Sequence, residues 1–208
     1  MIRIEKVDKN IPRSIHLPGT TKVSLQALGS AVMIWTTACM VLLTGSAAAG
    51  HRLTDAEKKE IVYALYAGYK SDFPAVGDVS PQQAMALLKK DEVVFVDTRK
   101  PAEMKVSMLP HAVTQDDFLS DLEKHAGKTV VAYCTISYRS GLFAREMDAK
   151  GIAVRNLEGG ILAWTLEGGR VYDENGAETN RVHVYGKKWD YASSGYEAVR
   201  FGLWEQLF

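Results

Sequence analysis

Cys134 and Arg139 bracket four residues, Thr135-Ile136-Ser137-Tyr138, and put a nucleophile and a permanent cation at the two ends of one short stretch. The residues before it, 129–133 (Thr-Val-Val-Ala-Tyr), form an apolar run that predicts a buried strand. The residues after it, 140–150, predict an amphipathic helix that stops at Gly151. A cysteine at such a junction faces backbone N–H groups and the positive end of a helix dipole, a field that favours thiolate over thiol. Arg139 adds a forked donor suited to an oxyanion. A lone cysteine after an apolar strand is more often a small buried hydrophobe, so the surrounding residues have to decide between packing and chemistry.

The 208 residues carry 25 basic and 25 acidic side chains and no formal net charge, which gives no global attraction to nucleic acid. The balance hides an asymmetry. Before Gly50, Arg3, Lys6, Lys9, Arg13 and Lys22 outnumber Glu5 and Asp8, and residues 23–50 carry no charge at all. The order of basic stretch, apolar centre and small-residue close, with Ala47 and Ala49 fitting a cleavage site, predicts a signal peptide or N-terminal membrane anchor over residues 1–50. The span at 23–45 is the expected anchoring segment. Either outcome exports the remainder, placing it in the periplasm or anchored facing the outer side. Cys39 falls in this segment, so Cys134 is the one cysteine of the exported part. It forms no internal disulfide, no C-x-x-C redox pair and no cysteine-based zinc site.

The elements that must position Cys134 follow from periodicity and punctuation. Thr54 and Glu57 make a capping box ahead of an apolar face of Ile61, Val62, Leu65, Tyr66 and Tyr69, a helical lead-in over 51–79 that packs on the domain from outside. Ser80-Pro81 opens a second helix. Residues 93–96 read as a buried parallel strand, 116–125 as a helix, 153–154 as a strand and 161–166 as a helix. Alternating strands and helices define an α/β domain with a mainly parallel central sheet flanked by helices. Asn175-Gly176 marks a turn, and 181–185 alternates like an exposed strand. Residues 173–208 form a C-terminal extension expected to cover the domain or pack on the first helix. Glu103 reads as a first-turn acid favoured by its helix dipole. Lys187-Lys188-Trp189 reads as a solvated turn. His111 and His125 stand without a partner at metal spacing, and Gly159-Gly160 opens a helix without any phosphate-loop pattern, so neither metal nor cofactor is expected.

Three blocks resemble the rhodanese sulfurtransferase family. The first is Val93-Val94-Phe95-Val96-Asp97-Thr98-Arg99 followed by Glu103, the second is the loop from Cys134 to Ser140, and the third is Asn156-Leu157-Glu158-Gly159-Gly160 leading to Trp164. The resemblance covers less than half of the chain and implies a rhodanese-like domain over 80–172. It implies that Cys134 takes a sulfane sulfur from a thiosulfate-type donor as a persulfide and passes it to a thiol or cyanide-type acceptor. Arg139 would bind the oxyanion end of the donor, with Thr135, Ile136, Ser137, Tyr138 and Ser140 completing the substrate-binding loop and Asp97 and Arg99 supporting it. The loop is one residue shorter than the C-x5-R loop of cysteine phosphatases. Two departures stand out: Ser107-Met108-Leu109-Pro110-His111-Ala112 replaces the family's usual G-H-I-P-G-A, and Ser137 sits where many active loops carry glycine. The implied partners are a small sulfur donor and a thiol acceptor, or a protein sulfur acceptor. An alternative from another class is a persulfide carrier that serves a partner protein with little turnover of its own. A non-catalytic interaction domain is a further alternative, which the retention of both Cys134 and Arg139 argues against.

Overall fold

The structure, a computed structural model, describes residues 52–201. The expected signal or anchor lies outside the described residues. Among the described residues no helix is long and apolar enough to cross a membrane.

Five parallel strands make the central sheet: β1 (Asp78–Val79), β2 (Val93–Asp97), β3 (Val113–Thr114), β4 (Thr129–Tyr133) and β5 (Arg155–Leu157), in the order β1-β5-β4-β2-β3. β2 and β4 pair in register from Val93 against Thr129 to Asp97 against Tyr133. Period-2 alternation divides their side chains between two cores. Val93, Phe95, Val131 and Tyr133 face one core with Ile161, Leu162 and Trp164, whereas Val94, Val96 and Ala132 face the other with Phe118, Phe143 and Met147. Helices cover both faces. α2 (Pro81–Lys89) and α6 (Gly160–Leu166) lie on the first face, and α4 (Gln115–Ser120) and α5 (Tyr138–Ala149) on the second, with α3 (Pro101–Val106) following β2. From β2 the chain steps to β3 on one side, and from β4 it steps to β5 on the other. The carboxyl ends of β2 and β4 therefore flank the topological switch point, where open α/β sheets leave a crevice.

The expected capping box of Thr54 with Glu57 is present, and Ser80 forms another with Gln83. α1 (Asp55–Lys70) is less peripheral than expected, because Val62 and Tyr66 are buried and belong to the two different cores. Several boundaries differ from the sequence reading. α5 begins at Tyr138 rather than 140. The strand expected at 153–154 is β5 at Arg155–Leu157, with Val154 buried just ahead of it. The helix expected over 116–125 breaks at Asp121, whose backbone leaves helical space and whose carboxylate accepts from the Lys124 N–H at 3.2 Å, opening a separate three-ten turn at Glu123–His125. The strand expected to be exposed at 181–185 is β8 (Arg181–His183), and Val182, His183 and Val184 are buried.

After the sheet, β6 (Val171–Tyr172) and β7 (Glu178–Thr179) form a hairpin whose Asn175-Gly176 turn places Gly176 at φ 76°. β8 then pairs in parallel with β9 (Glu197–Val199). The segment between them is tied to α1. Asp55 accepts from the Ser194 N–H at 2.9 Å, the Ser194 hydroxyl at 2.7 Å and the Ser193 hydroxyl at 3.0 Å, and Lys58 donates to the Ala192 carbonyl at 2.8 Å. Burial opposes the Asp55 charge, but the bonds from Ser194, Ser193 and Lys58 outweigh it and hold the carboxyl at about 2. A depressed carboxyl contributes its stabilisation fully above its ordinary value and loses it as pH falls towards the depressed one. Asp55→Ala is therefore expected to speed amide exchange at Ser194 at neutral pH. The wild-type chain should show the same loosening only below roughly pH 4. Equal exchange in both chains at neutral pH would contradict this clamp.

Candidate active site

The strand β4 delivers Cys134 to the crevice, and the chain must turn within four residues to start α5. The turn is made at Ser137, which adopts φ 74°, the left-handed region that glycine usually supplies. For an L-residue that conformation costs about 1–2 kcal/mol. It is held by the Ser137 hydroxyl donating to the Leu157 carbonyl and by the Asn156 side-chain amide donating to the Ser137 carbonyl at 3.1 Å. Ser137 is the N-cap of α5, yet its side chain makes no capping bond because it points to β5. The first-turn N–H groups of α5 are thus left without an intrahelical or side-chain acceptor.

The loop carbonyls point into the protein. Ile161 N–H donates to the Cys134 carbonyl at 2.9 Å and Leu162 N–H to the Thr135 carbonyl at 3.3 Å, both from the start of α6. A trans peptide holds its N–H opposite its C=O. The carbonyls of Cys134 and Thr135 are engaged by α6 and that of Ser137 by the Asn156 amide and the Gly141 N–H, so the N–H groups of Thr135, Ile136 and Tyr138 point away from those partners. Gly160 makes this close approach feasible: it sits at φ 61°, and a Cβ there would lie 2.4 Å from the Cys134 carbonyl oxygen.

Behind the loop lies a chain of charges. Arg139 donates to Glu103 through both guanidinium nitrogens, at 2.7 and 2.9 Å, and His183 Nδ1 lies 3.1 Å from the same carboxylate. Glu103 is 2% exposed. Burial pushes its pKa up, but the hydrogen bonds from His183 and Arg139, the Arg139 charge and the Lys100 N–H hold it well below the usual carboxylate range. For Arg139 burial disfavours the cation, and the bonds to Glu103 together with the negative potential of Cys134 and Glu103 raise its pKa above the ordinary value. The arrangement fixes the guanidinium in one orientation while a third of its side chain stays accessible. Glu103→Gln removes the charge that orients it. The expected loss is about 2 kcal/mol in urea unfolding at pH 7, less than the ~3–5 for breaking a fully buried pair because Arg139 is partly exposed. Since the depressed carboxyl stabilises above its unfolded value and stops doing so as pH falls through the folded one, the gap between wild type and variant should narrow below about pH 4. A gap that stays constant down to pH 3 would argue against this role.

A second buried pair braces the end of β2. Arg99 holds Asp97 through Nε at 2.9 Å and Nη2 at 2.6 Å, and the Tyr133 hydroxyl donates to the same carboxylate at 2.6 Å. Neither side chain of the ion pair is exposed. Asp97 and Arg99 therefore lock the ends of β2 and β4 together beneath the loop.

Cys134 is free, 2% exposed, and lines a cavity of about 460 Å³ together with Thr135, Ile136, Tyr138, Arg139 and Lys100. Of the loop residues singled out in the sequence, Ser137 and Ser140 are fully buried and do not line it. Tyr69, Tyr185 and Trp189 complete the walls. Sequence reasoning missed these three, along with His183 and the pairing role of Glu103. Trp189 belongs to a three-ten turn over Lys187–Trp189, and its indole joins the cavity rather than a solvated turn. His111 is exposed and His125 packs on Phe118. Among the described residues no group of three or more His, Cys, Asp or Glu is placed to hold a metal ion.

Comparison with known proteins gives the same picture. The family model for the Rhodanese-like domain matches residues 80–167. A sulfurtransferase of Allochromatium vinosum is 32% identical over 93 residues, 43% of this chain and 87% of that protein. A tRNA uridine(34) hydroxylase of Rhodococcus erythropolis is 28% identical over 124 residues, 54% of this chain and 42% of that protein. The solved thiosulfate sulfurtransferase from Pseudomonas aeruginosa aligns over 59% of this chain and 24% of that one, at 19% identity and TM-score 0.45. The chain spans about half the length of the curated relatives it matches first. The matched domain and the near-complete span of the Allochromatium protein lead to one conclusion: this chain belongs to the rhodanese-like family.

Proposed function

We propose that this chain is a sulfurtransferase that carries sulfane sulfur as a persulfide on Cys134, loaded from a thiosulfate-type donor and discharged to a thiol or cyanide-type acceptor. The observation that carries this reading is a free cysteine lining a cavity together with Arg139, on a loop whose N–H groups point away from the bonds its carbonyls accept from α6. Those donors would solvate the thiolate, the persulfide and the charge that develops as sulfur passes. Arg139, held by Glu103, presents its guanidinium to the oxyanion end of the donor. The charge pattern before residue 50 adds the proposal that this chemistry takes place outside the cytoplasm, with the chain exported or anchored through 23–45.

Two other readings have a specific basis. The carrier reading keeps Cys134 but gives little turnover without a protein partner. Hydroxylation of a tRNA uridine, the activity named for the Rhodococcus relative, would require binding to RNA, for which a chain of zero formal charge offers no general attraction. Steady-state thiocyanate formation from thiosulfate and cyanide separates these readings. The expected result is sustained turnover that disappears in Cys134→Ala. A single stoichiometric burst without turnover would favour the carrier, and no sulfur transfer at all would contradict both sulfur readings.

A further inference from the structure

His183 has no part in the transfer itself, yet it touches the residue that holds Arg139. The side chain is buried, and its Nδ1 lies 3.1 Å from Glu103 Oε1. The Glu103 carboxyl is held well below the usual carboxylate range, so at neutral pH it can only accept, and Nδ1–H is the donor. The imidazole stacks on Phe201 at 4.1 Å. The neighbouring positions follow a pattern. Val182 and Val184 enter the first core, whereas His183 meets Glu103 and Tyr185 sets its ring 5.9 Å from the Arg139 guanidinium. Alternate residues of one extended segment thus serve the core and the charge pair in turn. All four lie outside the residues 80–167 matched by the family model.

The bonds to Glu103 divide between its two oxygens. Oε2 accepts from the Lys100 N–H at 2.9 Å and from Arg139 Nη1 at 2.7 Å, and Oε1 accepts from Arg139 Nη2 at 2.9 Å and from His183. A glutamate carboxylate rotates broadly about its last torsion. One backbone donor on Oε2 does not set that rotation, but a second fixed donor on Oε1 does. With the plane set, both oxygens face the guanidinium fork, the two-bond geometry that orients as well as attracts. Loss of the His183 donor leaves the ion pair but frees its direction. We infer that His183 is a positioning residue: it fixes the Glu103 carboxylate and, through it, the direction of the Arg139 guanidinium beside Cys134, so that the C-terminal extension completes the anion site of the rhodanese-like domain. For sulfur transfer this rests on the sulfurtransferase reading above; the directed cation beside Cys134 does not.

The test compares alkylation of Cys134 in the full chain by iodoacetate and by iodoacetamide, followed on the peptide that carries Cys134 so that Cys39 does not contribute. The two reagents share the reacting carbon and the leaving iodide and differ in charge. The ratio of their rate constants therefore reads the cation beside the thiolate, whereas a general loosening of the loop moves both rates alike. His183→Phe keeps a ring against Phe201 and removes the donor. His183→Leu is a second donor-free variant, so that misfolding of one does not decide the outcome. His183→Asn restores a short N–H donor.

The ratio of iodoacetate to iodoacetamide rates is expected to fall about fivefold in both donor-free variants and to stay within about twofold of wild type in His183→Asn. In an Arg139→Ala background, His183→Phe should leave the ratio unchanged, because its effect passes through the guanidinium. The KM for thiosulfate should rise about fivefold in the donor-free variants, with kcat within about twofold. An unchanged ratio in a folded donor-free variant, an equal fall in the Arg139→Ala background, or a His183→Asn variant no better than His183→Phe would overturn the positioning role while leaving sulfur transfer intact. A wild-type Cys134 that takes no sulfur from thiosulfate, with a ratio that still depends on His183, would overturn the sulfurtransferase reading and leave the positioning role standing.

Discussion

Gly160→Ala is expected to unfold about 10 °C below the wild-type chain and to load sulfur at least tenfold more slowly. The reason lies in where the methyl group would go. At φ 61° an alanine already pays about 1–2 kcal/mol. Its Cβ would meet the Cys134 carbonyl oxygen at 2.4 Å and the carbon and oxygen of the Thr135 carbonyl at 2.8 Å. These are backbone atoms of the loop, so no rotamer change relieves the contact. α6 must move off the loop, and the bonds from Ile161 and Leu162 to those carbonyls weaken by about 1 kcal/mol each. The total is about 3–4 kcal/mol, which for a domain of this size corresponds to the stated shift in Tm. The rate is expected to fall because the carbonyl ties fix the orientation of the loop peptides around Cys134. Gly176 provides the control. It also has positive φ, 76°, but a Cβ there meets nothing within 4 Å, so Gly176→Ala should cost only about 1 kcal/mol and leave loading unaffected. Thermal unfolding and the loading rate of both variants check this. Identical behaviour of the two would mean that α6 does not hold the loop.

Much of this arrangement was legible in the sequence. The apolar runs of β2 and β4, the capping box at Thr54, the Ser80-Pro81 helix start and the order of three motif blocks set an α/β domain with Cys134 at a strand-to-helix junction. Ser137 stands where many active loops carry glycine, a departure expected to restrict positive φ, yet the structure places the serine at φ 74° all the same. Local signals of this kind are carried by neighbours in the chain.

What the sequence hid depends on distant partners. Glu103 looked like a residue favoured by its own helix dipole, but its partners Arg139 and His183 are 36 and 80 positions away. His183 sits in a segment whose alternation read as exposed. The strand is buried because β9 pairs beside it and Phe201 stacks on the His183 ring at 4.1 Å. Trp189 beside two lysines looked solvated, yet the tie of Ser193 and Ser194 to Asp55 brings this segment onto α1, where Trp189 meets Tyr69. At the ends of helices and strands the misses were small and local. Asp121 breaks a helix that periodicity alone would continue, because its carboxylate caps the next turn.

Cys134→Ser is expected to abolish sulfur loading altogether, since the hydroxyl that replaces the thiolate is not ionised near neutral pH and forms no persulfide. The fold should persist, because the exchange nearly conserves volume at a site that already carries polar neighbours in Thr135 and Arg139. The most direct measurement is the intact mass of the reduced full chain after incubation with thiosulfate, alongside the Cys134→Ser variant. The predicted result is a gain of one sulfur atom in the wild-type chain, removed by cyanide and absent in the variant. No gain in a folded, reduced chain, or an equal gain in both, would contradict a persulfide on Cys134.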